Sequence, residues 1–243
     1  MQTLTAEQRQ QYEAQGYVLV PRALEPADFK PIERQFLRLA EERSGRRFES
    51  LHDLELLQFF QKNMRIESDV YNAIRRTPEI LDLAAHRQLT SLLRQLVDRP
   101  WGLLEKMVLR IDMPNMEAEV AYWHQDHFYV KGNDRIVTAW IPLQDVNNEN
   151  GCLLVQPASH NMGSVSHPVA IGKRHVPAAE ALDAFRPISV DMHSGDVLLF
   201  HALLFHSGQI NRSGTTRYSF QFRYSPIGLP TDPGMGNVLP VEI

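Results

Sequence analysis

Several features that mark other protein classes are scarce or missing in this chain. It has one cysteine, Cys152, which excludes an internal disulfide and favours a reducing compartment. No apolar stretch approaches the roughly 20 residues that a membrane-spanning helix requires. The first residues lack the basic and apolar regions of a secretion signal. We therefore expect a cytoplasmic protein that does not interact with membranes.

An excess of positive charge is also missing. The chain has 25 Lys and Arg residues against 29 Asp and Glu, a formal net charge of −4, which gives no support to nucleic-acid binding. No internal repeat or Ser/Gly-rich linker divides the sequence. We expect one domain over residues 1–243, helical at about 1–100 and β-rich at about 101–225, whose oligomeric state the composition leaves open.

Helix signals come first and strand signals later. Thr5 and Gln8 form a capping-box pattern and Gly16 is a stop signal, which predicts a helix at about 6–15. Further helices are predicted from Pro26 to near Gly45, from Thr77-Pro78 onward, and at 91–97. The predicted strands are 17–20, 104–112, 120–124, 136–142, 151–156, 188–191, 197–200 and 216–224. This pattern predicts a mainly β protein with a double-sheet jelly roll.

The triplet His124-Gln125-Asp126 is the strongest chemical signal. In an extended strand, residues i and i+2 point to the same side, so this imidazole and this carboxylate could bind one ion together. A second imidazole from a distant strand would complete two nitrogens and one oxygen. Such a set occupies one face of an octahedral Fe(II) and leaves three positions open, which is typical of non-haem iron oxygenases.

Two histidines compete to supply the second imidazole, His201 and His206, which follow the apolar run 197–200. They are five residues apart, an odd number, so an unbroken strand would point them to opposite faces. The residues alone leave the choice open.

The strand predicted at 216–224 has two different faces. One face carries Arg217, Ser219 and Gln221, and the other carries Tyr218, Phe220 and Phe222. A planar guanidinium with a hydroxyl beside it suits a carboxylate, which it binds by parallel charge-assisted hydrogen bonds. Arg217 and Ser219 are therefore candidates for binding an anionic co-substrate.

Four motifs follow one another along the chain. They are Gly16-Tyr17-Val18-Leu19-Val20, Trp123-His124-Gln125-Asp126, Trp140-Ile141-Pro142-Leu143 with Asn150-Gly151 and Pro157-Ala158-Ser159-His160, and Gly195-Asp196 with His206 and Arg217. In this order and spacing, from about Gly16 to Tyr224, the chain resembles the phytanoyl-CoA dioxygenase family of Fe(II)- and 2-oxoglutarate-dependent oxygenases. It departs from the family at Ala158, where glycine is frequent, and at Ser207-Gly208, where Gly-Ser is frequent.

The resemblance implies a fold, a ligand set and a reaction. The fold is a double-stranded β-helix, a cupin-like jelly roll with N-terminal buttressing helices. His124, Asp126 and His206 would bind Fe(II), and Arg217 would bind the C5 carboxylate of 2-oxoglutarate. Ser219 and Trp140 are further candidate co-substrate contacts, with packing as the alternative for Trp140.

The implied enzyme uses O₂ to hydroxylate an unactivated C–H bond of a small metabolite or natural-product intermediate, with release of succinate and CO₂. A carboxylate at Asp126, where related halogenases have a small residue, favours hydroxylation or desaturation. Two alternatives remain. A cupin-type oxygenase would use O₂ without 2-oxoglutarate, which Arg217 argues against, and a catalytically silent metal-binding protein or sensor would keep the site for stability.

Candidate substrate contacts come from position in the sequence. Lys106 and Arg110 give one side of the strand 104–112 a charged face, and His127 and Tyr129 directly follow the triplet. These four residues are candidates to face the substrate, and the alternative for Lys106 and Arg110 is that they face water.

The segment 161–187 has too few alternating apolar residues for a core strand and is long for a connection, which is typical of lids and binding loops. Its His167, Lys173, Arg174 and His175 are compatible with an anionic substrate. A solvated surface loop is the alternative.

Overall fold

The computed structural model describes residues 1–96, 99–105, 107–117, 120–172 and 174–231, and the backbone of 238–240. The helices are α1 (Ala6–Gln15), α2 (Pro26–Ser44), α3 (Leu54–Lys62), α4 (Met64–Ile74), α5 (Pro78–Ala84), α6 (Arg87–Leu93), α7 (Asp126–Val130) and α8 (Ala179–Asp183). The strands are β1 (Tyr17–Val20), β2 (Trp101–Leu104), β3 (Val108–Asp112), β4 (Val137–Pro142), β5 (Leu153–Val155), β6 (Val169–Ile171), β7 (Arg174–Val176), β8 (Ile188–Val190), β9 (Val197–His201), β10 (His206–Ser207), β11 (Arg217–Pro226) and β12 (Val238–Pro240).

Two antiparallel sheets form the β core. The larger sheet has the order β1-β9-β4-β11-β2-β12, and β3 pairs with the first half of β11. The smaller sheet has the order β10-β5-β8, and β6 and β7 form a separate hairpin. This arrangement confirms the predicted jelly roll with N-terminal helices. Among the described residues, no helix combines the length and the apolar character needed to cross a membrane.

Strand β11 connects the helical layer with the interior of the jelly roll. Its aromatic face, Tyr218, Phe220, Phe222 and Tyr224, belongs to the core that the helices share with the larger sheet. The Tyr218 hydroxyl donates to the carbonyl of Leu51 at 3.0 Å, and the Tyr224 hydroxyl donates to the carbonyl of Ala84 at 2.7 Å. Because side chains alternate along a strand, the polar residues of β11 face the other way, toward the site.

The first helix begins and ends where the sequence predicts. Thr5 and Gln8 form the reciprocal capping box, with hydrogen bonds of 3.0 and 3.2 Å. Gly16 ends α1 with φ of +80°, and a Cβ at this position would lie 2.5 Å from Nδ1 of His160. Glycine is therefore required both for the backbone conformation and for the close approach.

Other predicted elements are wrong in extent or type. The helix predicted at 91–97 is α6, Arg87–Leu93, and the sequence pattern does not predict α3 and α4. Burial of Leu56 and Phe60 holds α3, and burial of Val70 and Ile74 holds α4, because tertiary packing stabilises short helices more than propensity does. The strand predicted at 104–112 is divided into β2 and β3.

Two further corrections concern segments that flank the site. Residues 120–124 form no strand, and His124 contributes only an isolated bridge to His206. The segment 161–187, predicted as a loop without core strands, contains the β6–β7 hairpin and α8. The residues of β6 are all exposed, and β6 pairs with β7 alone. The sequence of this hairpin therefore shows no alternation between buried and exposed residues.

The departure from the family at Ala158 does not disturb the turn there. Ala158 has φ of +64° and ψ of −1°, the left-handed conformation that glycine adopts without strain. Its N–H donates to the carbonyl of Gln15 at 2.9 Å. The left-handed conformation costs an L-residue roughly 1–2 kcal/mol.

Candidate metal and co-substrate site

Three side chains from two distant parts of the chain converge at one point. The ligand-type atoms of His124, Asp126 and His206 all lie within 4.8 Å of one another. His124 and His206 exchange two backbone hydrogen bonds of 3.0 Å, which fixes the two histidines side by side. The predicted reason for the convergence is wrong, since Asp126 is not on a strand with His124 but begins α7.

The imidazoles present their Nε2 atoms to Asp126. Nε2 of His124 lies 3.7 Å from Oδ1 of Asp126, and Nε2 of His206 lies 4.0 Å from the same oxygen. Each Nδ1 contacts a carbonyl, Tyr122 at 2.7 Å and Leu204 at 3.1 Å, and must donate its proton there because a carbonyl only accepts. In a neutral imidazole with its proton on Nδ1, Nε2 carries a lone pair, so the set fits a divalent transition metal.

The protonation states favour metal binding. Burial disfavours the charged form of Asp126, but the charge of Arg223 and the surrounding hydrogen bonds outweigh it and hold the pKa well below its ordinary value. Thr138 donates to Oδ2 at 2.6 Å, and Nη2 of Arg223 donates to Oδ1 at 2.7 Å. Burial, and next the charge of His124, lowers the pKa of His206 to about 3, so this imidazole is neutral at physiological pH.

Arg217 and Ser219 present buried donors that have no acceptor among the described residues. Arg217 donates through Nη2 to Oδ2 of Asp112 at 2.5 Å and through Nη1 to the carbonyl of Gly151, while its Nε and the Ser219 hydroxyl have no hydrogen-bond partner. Its guanidinium lies 5.7 Å from the centre of the Trp140 ring. Buried donors are rarely left unpaired, so this pair fits the oxygens of an anionic ligand.

A cavity of about 270 Å³ opens beside the three converging side chains. Its wall includes His124, Asp126, Arg110, Arg174, Arg223 and Tyr129. Two of the four candidate substrate contacts, Arg110 and Tyr129, thus face this cavity.

The remaining predicted residues lie elsewhere. The N–H of His127 donates to the carbonyl of Ala202, and this histidine is not among the described residues of the cavity wall. Trp140 is fully buried beside Arg217. Lys106 lies outside the described residues. His201 packs against the rings of Tyr12 and His160, at 6.5 and 5.3 Å, rather than joining the triplet.

Sequence reasoning missed the partners of the predicted residues. These are Asp112, Gln125, Thr138 and Arg223. Alternation could have indicated two of them, because Asp112 shares a face of β3 with Arg110, and Arg223 shares a face of β11 with Arg217. No local pattern indicates Thr138, which reaches Asp126 from β4.

Comparison with known proteins gives one family over most of the chain. The family profile named Phytanoyl-CoA dioxygenase (PhyH) matches residues 12–219. A probable phytanoyl-CoA dioxygenase of Caenorhabditis elegans is 23% identical over 235 residues, which cover 91% of this chain and 75% of that protein. A 1-deoxypentalenic acid 11-beta-hydroxylase of Streptomyces exfoliatus is 34% identical over 113 residues, 42% of this chain and 40% of that protein.

A solved structure shares the fold along the whole chain. The crystal structure of the non-heme alpha ketoglutarate dependent carbocyclase SnoK from nogalamycin biosynthesis superposes with a TM-score of 0.68 at 20% identity. The superposition covers 99% of this chain and 94% of that one. At this identity the similarity establishes the common jelly-roll fold.

Proposed function

Because this chain belongs to the phytanoyl-CoA dioxygenase family, and is therefore a non-haem Fe(II)- and 2-oxoglutarate-dependent oxygenase, we propose that it hydroxylates an unactivated C–H bond of a small metabolite or natural-product intermediate. The observation that carries this proposal is the convergence of His124, Asp126 and His206 beside a cavity of about 270 Å³. Ligand cavities are commonly about 300–1,000 Å³, so this one suits a small substrate. The relative named for 11-beta-hydroxylation of 1-deoxypentalenic acid supports the same reaction type.

We assign His124, Asp126 and His206 as the Fe(II) ligands. When bound, Fe(II), 2-oxoglutarate and O₂ supply the oxidising chemistry, and succinate and CO₂ are released. The protein contributes a fixed donor set on one side of the ion. The Nδ1 hydrogen bonds to Tyr122 and Leu204 hold each ring in the orientation that points Nε2 at the metal position.

We assign Arg217 and Ser219 to the far carboxylate of 2-oxoglutarate. Burial disfavours ionisation of Asp112, but the charges of Arg217 and Arg110 outweigh it and keep the pKa of this carboxyl low. The hydrogen bonds to Asp112 and Gly151 fix the guanidinium, and Nε–H and the Ser219 hydroxyl remain to donate.

The family and this geometry lead to one experiment. Adding Fe(II) and 2-oxoglutarate without oxygen should produce a weak visible charge-transfer band, and admitting air should release succinate. Asp126→Ala should remove both signals because it removes the anionic ligand. His201→Ala should retain them because His201 lies with Tyr12 and His160.

The outcomes separate the alternatives. A wild-type protein without the band would favour the cupin-type oxygenase that does not use 2-oxoglutarate, or the silent binder. A band without succinate on admission of air would favour the binder alone. Equal loss of activity in Asp126→Ala and His201→Ala would contradict the assignment of His206.

A further inference from the structure

His167 is a buried histidine that contacts the backbone of the triplet His124-Gln125-Asp126. It is 4% exposed and is not among the described residues of the cavity wall. Its Nε2 accepts a hydrogen bond of 3.1 Å from the N–H of Gln125, the residue between the two proposed metal ligands. His167 therefore lies against the backbone that carries these ligands, whereas its place in the sequence suggested a contact with an anionic substrate.

The hydrogen bonds of His167 fix its tautomer. Nδ1 lies 3.1 Å from the carbonyl of Val165 and donates its proton there, so Nε2 carries the lone pair. His124 and His206 have the same arrangement, each with Nδ1 against the carbonyl two residues earlier in the chain. Burial lowers the pKa of His167 to about 4, so the ring is neutral at physiological pH. The lone pair of His167 accepts from a backbone N–H, whereas those of the other two rings serve the proposed metal position.

Backbone N–H groups on both sides of Gln125 are bonded to backbone carbonyls. The N–H of His124 donates to the carbonyl of His206 at 3.0 Å. The N–H of His127 donates to the carbonyl of Ala202 at 2.9 Å. The N–H of Gln125, a fully buried residue, is bonded to an imidazole instead. A buried N–H without an acceptor is unfavourable, so loss of this imidazole would force the backbone to move toward another acceptor.

Two further contacts hold His167 in this position. Its ring stacks on the ring of Phe128 in α7, with 4.1 Å between the ring centres and 21° between the planes. The N–H of Val165 donates to Oε1 of Gln125 at 3.0 Å. Val165 and His167 thus bind Gln125 through its side chain and its backbone at the same time.

The conformation of this backbone sets the distance between two proposed ligands. Nε2 of His124 lies 3.7 Å from Oδ1 of Asp126, and only Gln125 separates the two residues in the chain. A rotation of the Gln125 peptide would turn one side chain relative to the other. Metal–ligand distances tolerate deviations of only about 0.2 Å, so a small rotation would weaken metal binding.

We propose that His167 is a positioning residue of the metal site, which fixes the backbone between His124 and Asp126 by accepting the N–H of Gln125. This proposal rests on the proposed function, since it concerns the same metal ligands. It also gives the segment 161–187 a role in metal binding.

Two variants separate the hydrogen bond from the ring contact. His167→Phe keeps a ring that can stack on Phe128 but has no acceptor for the N–H of Gln125. His167→Gln loses the ring but keeps an acceptor, its amide oxygen. The first variant should lower the affinity for Fe(II) about tenfold or more, as for other residues that orient metal ligands, and the second should retain most of it. Titration of the metal-free protein with Fe(II), without oxygen, measures both affinities.

Co(II) gives a second readout that does not depend on activity. The visible absorption of bound Co(II) reports the arrangement of its ligands, so His167→Phe should change this spectrum and His167→Gln should preserve it. His86→Phe is the matched control, because Nδ1 of His86 accepts from the N–H of Gln88 at 3.3 Å at the start of α6. The control should lower the free energy of unfolding but keep the wild-type affinity and spectrum.

The wild type provides a measurement that needs no variant. In the metal-free, nitrogen-labelled protein, this N–H···N hydrogen bond should give a scalar coupling in nuclear magnetic resonance spectra between the amide nitrogen of Gln125 and Nε2 of His167. The coupling should persist when diamagnetic Zn(II) is bound. A coupling that is absent from the metal-free protein, or that disappears with Zn(II), would overturn the proposal even if neither variant folds.

Three results with folded variants would also overturn it: wild-type Fe(II) affinity in His167→Phe, an equal loss of affinity in His86→Phe, or an equal loss in His167→Gln. The last result would assign the effect to the ring contact rather than to the hydrogen bond. If the wild type itself binds neither Fe(II) nor Co(II), the proposed function fails together with this inference. If the wild type binds both ions and His167→Phe binds them equally well, only this inference fails.

Discussion

Arg223 donates through Nη2 to Oδ1 of Asp126 at 2.7 Å, and this oxygen is the one that lies near Nε2 of both His124 and His206. The same carboxylate oxygen thus faces a guanidinium and the proposed metal position. A carboxylate that is fully buried needs a counter-charge before any metal arrives. Arg223 supplies this charge in the metal-free protein.

Arg223→Gln should lower the free energy of unfolding of the metal-free protein by about 3 kcal/mol, because one partner of a buried ion pair is removed. A divalent ion would return positive charge to the same oxygen. Metal binding should therefore stabilise the variant more than it stabilises the wild type. Urea unfolding with and without Fe(II), in the absence of oxygen, measures both quantities. Arg223→Lys keeps the positive charge, so its stability and its metal-induced stabilisation should lie between those of the wild type and Arg223→Gln. Equal metal-induced stabilisation in all three proteins would contradict this role of Arg223.

Gln125 lies between the proposed metal ligands His124 and Asp126 and connects them to Gly163 and Val165, which precede the β6–β7 hairpin. Its Nε2 donates to the carbonyls of Gly163 at 2.9 Å and Leu203 at 2.7 Å, and its Oε1 accepts from the N–H of Val165 at 3.0 Å. Gln125→Glu replaces the double donor with an acceptor that faces two carbonyls. The affinity for Fe(II) should fall about tenfold or more, as for other residues that orient metal ligands, and a metal titration without oxygen measures it.

Gln156→Glu is the control for that change. Gln156 is 3% exposed, and its Nε2 also donates to two carbonyls, Leu182 at 2.8 Å and Phe185 at 3.1 Å. This variant should lose a comparable free energy of unfolding but keep the wild-type affinity for Fe(II). The role of Gln125 would be refuted by metal affinities that fall equally in the two variants.

Arg217→Gln should weaken 2-oxoglutarate binding by about 2–5 kcal/mol, at least roughly 30-fold, because the far carboxylate loses its charged partner. The affinity for Fe(II) should stay close to that of the wild type, since the hydrogen bonds of Arg217 go to Asp112 and Gly151 and not to the three proposed ligands. Titration of the charge-transfer band separates the two affinities. Arg212→Gln, a change at an exposed loop arginine, should alter neither. If Arg217→Gln leaves the affinity for 2-oxoglutarate unchanged, the far carboxylate is bound by another residue.

His201 should make stability depend on pH. Burial, and next the charge of His160, lowers the pKa of His201 to about 4 from an ordinary value of 6.5. Between these values the unfolded chain binds a proton on this residue and the folded protein does not. The contribution of neutral His201 is therefore complete above pH 6.5 and is lost as the pH falls toward 4.

His201→Asn should reduce the slope of the free energy of unfolding against pH by an amount that corresponds to at most one proton. The asparagine keeps an acceptor for the N–H of Leu203. Urea unfolding from about pH 7 to about pH 4 gives the slope for each protein. Identical slopes in the wild type and the variant would show that His201 titrates normally in the folded state.

Ala158→Gly should stabilise the protein by about 1 kcal/mol, because glycine adopts the left-handed conformation at φ of +64° without the strain of a Cβ. The gain is reduced by the greater freedom of glycine in the unfolded chain. Ala181→Gly in α8 is the opposite control and should destabilise by about 1 kcal/mol, since glycine is unfavourable inside a helix. Thermal unfolding distinguishes the two signs, and destabilisation in both variants would contradict a strained Ala158.

Much of the site follows from local rules. Alternation separates Arg217 and Ser219 from the aromatic face of β11, and the capping residues Thr5 and Gly16 fix α1. These features depend on neighbours along the chain, so a period of two or a single cap is enough to predict them. The triplet and the later histidines likewise supply the donor types for a metal.

The choice between His201 and His206 did not follow from a local rule. Strand β9 ends at His201, the chain turns, and β10 begins at His206, where the bridge to His124 places the second imidazole. Parity along an unbroken strand could not decide this, because the strand is broken between the two residues.

The sequence by itself determined which chemical groups are available, namely imidazoles and a carboxylate as metal donors and an arginine on one face of a strand. It also determined the order of the motifs. Tertiary structure alone decided their partners, since Arg223 reaches Asp126 across 97 residues and Arg217 reaches Asp112 across 105. Local periodicity specifies a face, whereas the pairing of these charges depends on how β3, β4 and β11 align in one sheet and on where α7 begins. Side-chain burial and hydrogen bonding over the whole fold set that alignment, and no short stretch of the chain contains it.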